Sequence, residues 1–140
     1  MGNNFDGAGG LLRAHRNILI VDDDRDLRES LRELLEDHGH RAVDVEDGAQ
    51  ALAFLRQHGA CLVLLDWHLA PMSAPELKAV LDDDPALRAI PVVIVSADLR
   101  LDRAALAGYA GHLAKPVDLV ALFDAIECHC GGEVDGAAGA

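Results

Sequence analysis

Basic residues are scarce: lysine and arginine total 12 against 24 aspartates and glutamates in 140 residues, a formal net charge of −12. Contact with nucleic-acid phosphates needs clustered cationic side chains, and none occurs here, which weighs against direct nucleic-acid binding. A cation or another protein is the more natural counterpart of so acidic a surface. Cysteine is sparse and odd in number, with Cys61 inside an apolar run and Cys128 and Cys130 flanking His129. No disulfide framework is expected from such a set. The Cys128-His129-Cys130 spacing, without a second pair of ligands, also falls short of a zinc pattern. No apolar run approaches membrane-spanning length, and the amino terminus lacks the charged and apolar regions of a signal peptide. The expectation is a cytoplasmic protein with no membrane partner.

Apolar residues make up 51% of the chain, enough for one sizeable core at this length. Residues 1–16 are rich in Gly and Asn and read as a flexible leader, and the Gly- and Ala-rich residues 131–140 read as a flexible tail. Residues 17–130 form the expected single domain. Within it, strands and helices alternate, the pattern of βα units on a parallel sheet. Strands are predicted at 17–21, 42–45, 61–66, 91–96 and 112–114. The first helix carries Leu27, Leu31, Leu34 and Leu35 on one stripe and ends at Gly39. A second opens at Gly48. The third starts at about residue 74, where Ser73-Ala74-Pro75-Glu76 has the form of a capping box. A short fourth helix is predicted over 101–107, and a fifth over 117–128 with Leu119, Leu122, Phe123 and Ile126 on one stripe. Five strands and five helices give a three-layer α/β sandwich.

The centre of this pattern is CLVLLDWHLAPM, residues 61–72, in which an unbroken apolar run delivers Asp66 to a strand's carboxyl end. Ligands bind at that edge of an open α/β sheet, because strand ends distant in sequence become neighbours there. Asp22 and Asp23 follow the first strand, Ser96 ends the fourth and Lys115 follows the fifth. Taken singly, each has a plainer role as a turn former, a helix-start acid or a surface charge. Together they describe one pocket. Two carboxylates about 4 Å apart repel by roughly 4 kcal/mol at an effective dielectric near 20. A hard divalent cation such as Mg²⁺ would offset that repulsion, with Lys115 adding positive charge.

With ILIVDDD at 18–24, LVLLD at 62–66, IPVVIVSA at 90–97 and AKP at 114–116, the chain resembles a response-regulator receiver domain. This is the phosphate-accepting module of two-component signalling. The resemblance implies a flavodoxin-like parallel sheet of strand order 2-1-3-4-5. It also implies that Asp66 is the phosphoacceptor, that Asp23, Asp66 and the backbone carbonyl of His68 bind Mg²⁺, and that Asp22 holds the ion through water. Lys115 and Ser96 would contact the phosphoryl group. The implied partners are a histidine kinase or phosphotransfer protein and a downstream protein target. The chemistry would be self-catalysed phosphoryl transfer and slow autodephosphorylation rather than turnover as an enzyme.

Several positions depart from the family pattern. Ala70 and Ala74 stand where members commonly have Pro and Gly, and His112 stands where Tyr or Phe is usual. The Ser96 to Lys115 interval is short, so the fourth helix or its loop is trimmed in a region that usually forms the signalling surface. These departures keep open a degenerate receiver that acts as a phosphorylation-independent binding module. A haloacid-dehalogenase-type phosphatase also uses Asp, Ser and Lys on strand ends, but it needs an acidic pair after Lys115 that is missing here.

Overall fold

Strands built from unbroken apolar runs must be covered on both faces, and the chain meets that demand with helices on either side of one sheet. In the computed structural model, which describes residues 17–98 and 100–139, the elements are β1 (Asn17–Val21), α1 (Arg25–Asp37), β2 (Arg41–Val45), α2 (Gly48–His58), β3 (Leu62–Asp66), α3 (Ala74–Asp83), β4 (Val92–Ser96), β5 (Gly111–Ala114) and α4 (Leu119–Gly139). The expected leader lies outside the described residues. All strand pairs are parallel, in the order β2-β1-β3-β4-β5. The architecture is the flavodoxin-like sandwich that the resemblance implied.

Alternate residues of each strand serve opposite layers. Leu19, Val21, Val63, Leu65 and Ile94 face α2 and α3, meeting Leu52, Leu55, Leu77 and Leu81. Ile18, Ile20, Leu62, Leu64 and Val95 face the other way, meeting Leu31 and Leu35 of α1 and Leu122 and Ile126 of α4. Burying each such side chain stabilises the fold by about 1.5–3 kcal/mol, which fixes the register of every strand.

Local capping sets the helix starts. Asp24 and Asp47 accept from the backbone N–H groups of Leu27 and Gln50 and cap α1 and α2. The capping box before α3 is complete: Ser73 Oγ accepts from Glu76 N, and Ser73 N donates to Glu76 Oε1 at 2.8 Å. Ala74 is therefore a buried residue of the first helical turn rather than part of a loop. Gly39, at φ 88°, takes the left-handed conformation that closes α1.

Three expectations are corrected. There are four helices among the described residues, because the predicted helix over 101–107 is a series of turns. Asp102 caps Ala105 N and its carbonyl accepts from Leu106 N, but the left-handed Gly108 follows at once. A single turn cannot offset the cost of helix nucleation. Leu101, Leu106 and Tyr109 still pack against the α2–α3 layer. The last helix, predicted to end at Cys128, keeps a helical backbone through Gly139. Cysteine is the third correction, since Cys61 and Cys130 are joined in a disulfide and Cys128 alone is a free, exposed thiol. The partners lie 69 residues apart in sequence, and only the packing of α4 across β3 brings them together.

Candidate functional site

Strand β1 stops at the acidic triplet and β3 stops at Asp66, so the central two strands aim their carboxylates at one point. Oxygen atoms of Asp22, Asp23 and Asp66 lie within 4.8 Å of one another. Asp22 and Asp66 are buried, while Asp23 is exposed. Lys115 enters from beyond β5, its Nζ donating to Asp22 Oδ2 at 3.2 Å and to Asp66 Oδ1 at 3.4 Å. The remaining contacts are backbone ones: Asp24 N donates to Asp22 Oδ1 at 2.8 Å and His68 N to Asp66 Oδ1 at 3.3 Å.

Burial pushes the Asp22 carboxyl above its ordinary range, and the charge of Asp66 adds to the effect against the opposing pull of the Asp24 amide and Lys115. Burial also disfavours the Lys115 ammonium, but the combined attraction of Asp22 and Asp66 wins and raises its pKa. One Lys115 charge only partly compensates three clustered carboxylates. Clustered carboxylate oxygens with residual negative charge suit a hard, oxygen-seeking ion such as Mg²⁺.

Ser96 is buried at the end of β4, beside the β3 end that carries Asp66. Its Oγ accepts from Asp98 N at 2.9 Å, so the hydroxyl hydrogen is still available to donate. The main chain ties the edge together, with Lys115 N donating to Ser96 O at 3.0 Å. Of the residues singled out in the sequence, Lys115 contacts Asp22 and Asp66 directly, and an Asp23 oxygen lies within 4.8 Å of theirs. His68 is linked to Asp66 through its amide, whereas its exposed ring lies 3.5 Å from Asp98. His112 is exposed on β5. Trp67 packs edge-on against Tyr109, with ring centroids 6.2 Å apart.

Two groups escaped the sequence reading. Arg28 donates to the carbonyl of Asp22 at 3.1 Å and to Asp44 Oδ2 at 2.7 Å, bracing the acidic turn against β2. Arg32 pairs ionically with the same Asp44, although its Nε–H is not aimed for a hydrogen bond. The available signal was Asp44 within a β strand and two arginines four apart on one face of α1. The second group is Asp98, held down at about 2 by the Arg100 side chain and backbone. Its only sequence signal was its position two residues after Ser96.

Comparison with known proteins points to one family. Residues 18–127 match the family model described as response regulator receiver domain. The polar-differentiation response regulator DivK of Brucella anthropi is 29% identical over 119 residues, covering 83% of this chain and 97% of that protein. A response regulator receiver protein from Methanoculleus marisnigri JR1, solved as its N-terminal domain, has a TM-score of 0.67 at 30% identity over 79% of this chain and 93% of its own. The receiver domain of sensor histidine kinase PA1611 from Pseudomonas aeruginosa PAO1 has a TM-score of 0.75 at 25% identity, covering 84% and 98% of the two chains. That structure holds a magnesium ion in its active-site cleft.

Proposed function

Since the chain belongs to the response regulator receiver domain family, we propose that Asp66 is its phosphoacceptor. One Asp66 oxygen attacks phosphorus in a phosphohistidine or a small acyl-phosphate donor. The bond from phosphorus to the donor breaks, and the side chain becomes an acyl phosphate. The supporting observation is the buried Asp66 carboxylate at the end of β3, with the Lys115 ammonium at 3.4 Å and two further carboxylates beside it.

Lys115 holds positive charge where the transferring group spreads negative charge over its oxygens. Ser96 keeps its hydroxyl hydrogen free to donate to a phosphoryl oxygen, and that contact would draw the β4 loop inward. Asp23, Asp66 and the His68 carbonyl would ligate Mg²⁺ directly. Asp22, both of whose oxygens already accept hydrogen bonds, would act through water. When bound, the ion supplies charge neutralisation on the phosphoryl oxygens. The upstream donor would be a histidine kinase or phosphotransfer protein in the cytoplasm, and the output a protein contact. No helix among the described residues is long and apolar enough to cross a membrane.

Acetyl phosphate with Mg²⁺ should add one phosphoryl group to the peptide containing Asp66. Failure of the wild-type protein to label, or labelling that persists in Asp66→Asn, would remove the assignment. The turns found over 101–107 in place of a helix, and the exposed His112, favour a second reading, a receiver that binds its target without phosphorylation. In that case beryllofluoride with Mg²⁺ would leave Trp67 fluorescence and target binding unchanged.

A further inference from the structure

The amino edge of the sheet carries a reactive group that phosphoryl transfer does not use. Cys61, at the foot of β3, is bonded to Cys130 of α4. Although both are largely buried, Cys61 and His129 line a surface cavity of about 260 Å³ together with Ala60, Ala86, Ile90 and Pro91. The disulfide therefore lies next to a solvent-connected cavity, with Cys61 as one of its lining residues.

We propose that Cys61–Cys130 is a reversible thiol–disulfide site, reduced by a dithiol that enters through this cavity, and that the bond decides whether the end of α4 stays on the sheet. The incoming thiolate attacks Cys61 Sγ and forms a mixed disulfide with it. The Cys61–Cys130 bond breaks, its electron pair goes to Cys130, and the departing thiolate takes a proton from solvent. The second thiolate of the reductant then attacks its own sulfur in the mixed disulfide and releases Cys61, which is protonated in turn. The protein gains two electrons and two protons, and the dithiol closes into a disulfide.

Two features fit a bond that opens in the folded protein. The carbonyl oxygen of Asn17 lies 3.5 Å from Cys61 Sγ, a ready acceptor for the S–H of the reduced form. The stripe that holds α4 to the sheet ends at Leu122, Ile126 and Cys130, and Gly131 and Gly132 follow. Glycine is a poor helix former, so among the described side chains of that stripe the covalent tie at Cys130 is the last anchor of the helix to the sheet. The bond chemistry is independent of phosphorylation at Asp66.

The test uses the full chain purified without reductant and labelled with a maleimide under native conditions, before and after dithiothreitol. Cys128 is the free, exposed thiol, so one label per chain is expected before reduction and three after it, with oxidised glutathione restoring the first pattern. On reduction, amide exchange from Ile126 to Gly131 should quicken about tenfold or more. The melting temperature should fall by roughly 10 °C, because the tie closes a long loop. Cys61→Ser should show the fast exchange with or without reductant, and Cys128→Ser should behave as wild type. Three labels at the outset would overturn the proposal, as would a bond that yields only after denaturation, or exchange near Cys130 that reduction leaves unchanged. If Cys61→Ser fails to fold, the dithiothreitol comparison on the wild-type chain decides alone.

Discussion

At the carboxyl edge of the sheet the strands end in buried Asp22, Asp66 and Ser96 with Lys115 reaching over them, whereas at the amino edge they begin beside Cys61, Cys130 and the half-buried His40. The two edges share strands and core but are stabilised differently. Charge at the first is left partly uncompensated, which suits the cation and phosphoryl chemistry proposed for it. Packing and a covalent bond hold the second, where the proposed response is to reductants instead. A single buried strand, β3, has a carboxylate at one end and a disulfide-bonded cysteine beside the other.

The largest expected effect comes from Asp66→Asn, which should reduce phosphoryl uptake to background in a labelling assay. The melting temperature of the metal-free protein should hold or rise, because the charge removed is one that disfavours ionisation of Asp22. A large fall in stability would mean that the acidic edge contributes to the fold as the disulfide edge does. Lys115→Ala should slow labelling by acetyl phosphate about 100-fold at saturating Mg²⁺, since it removes the ammonium that contacts both buried acids. A rate near wild type would assign the countercharge to another group.

A smaller effect sharpens the order within the acidic edge. Asp23→Ala should weaken Mg²⁺ binding roughly tenfold more than Asp22→Ala does, read by titrating Trp67 fluorescence. Equal losses would show that Asp22 also ligates directly. The smallest effect belongs to the amino edge. Burial lowers the pKa of His40, helped by nearby His38 and opposed by Glu127. The unfolded chain therefore takes up this proton at a higher pH than the folded one. His40 should lower stability as pH falls below 6.5 and continue to do so down to its depressed folded value. His40→Gln should flatten the slope of melting temperature between pH 7 and 5 without changing Mg²⁺ affinity.

Much of this design was legible in the chain. The runs NILIV and LVLLD admitted no reading but buried parallel strands, and Ser73 to Glu76 announced the start of α3 through a local exchange of hydrogen bonds. Asp22, Asp23, Asp66, Ser96 and Lys115 were recognisable as candidates because each ends or follows a strand. Arg28 was not, since its partners Asp44 and the Asp22 carbonyl lie on other elements. The segment over 101–107 had helical composition, but Gly108 and the short path to β5 left room only for turns.

The sequence by itself determined which stretches would be buried and which strand ends would be acidic, because hydrophobic period and capping act over a few neighbouring residues. Only the tertiary structure decided that the Lys115 ammonium would lie between Asp22 and Asp66, and that Cys61 would find Cys130. Those meetings depend on strand order and on the path of α4 across the sheet. Such geometry is set by packing the whole chain at once, so no local pattern of residues records it.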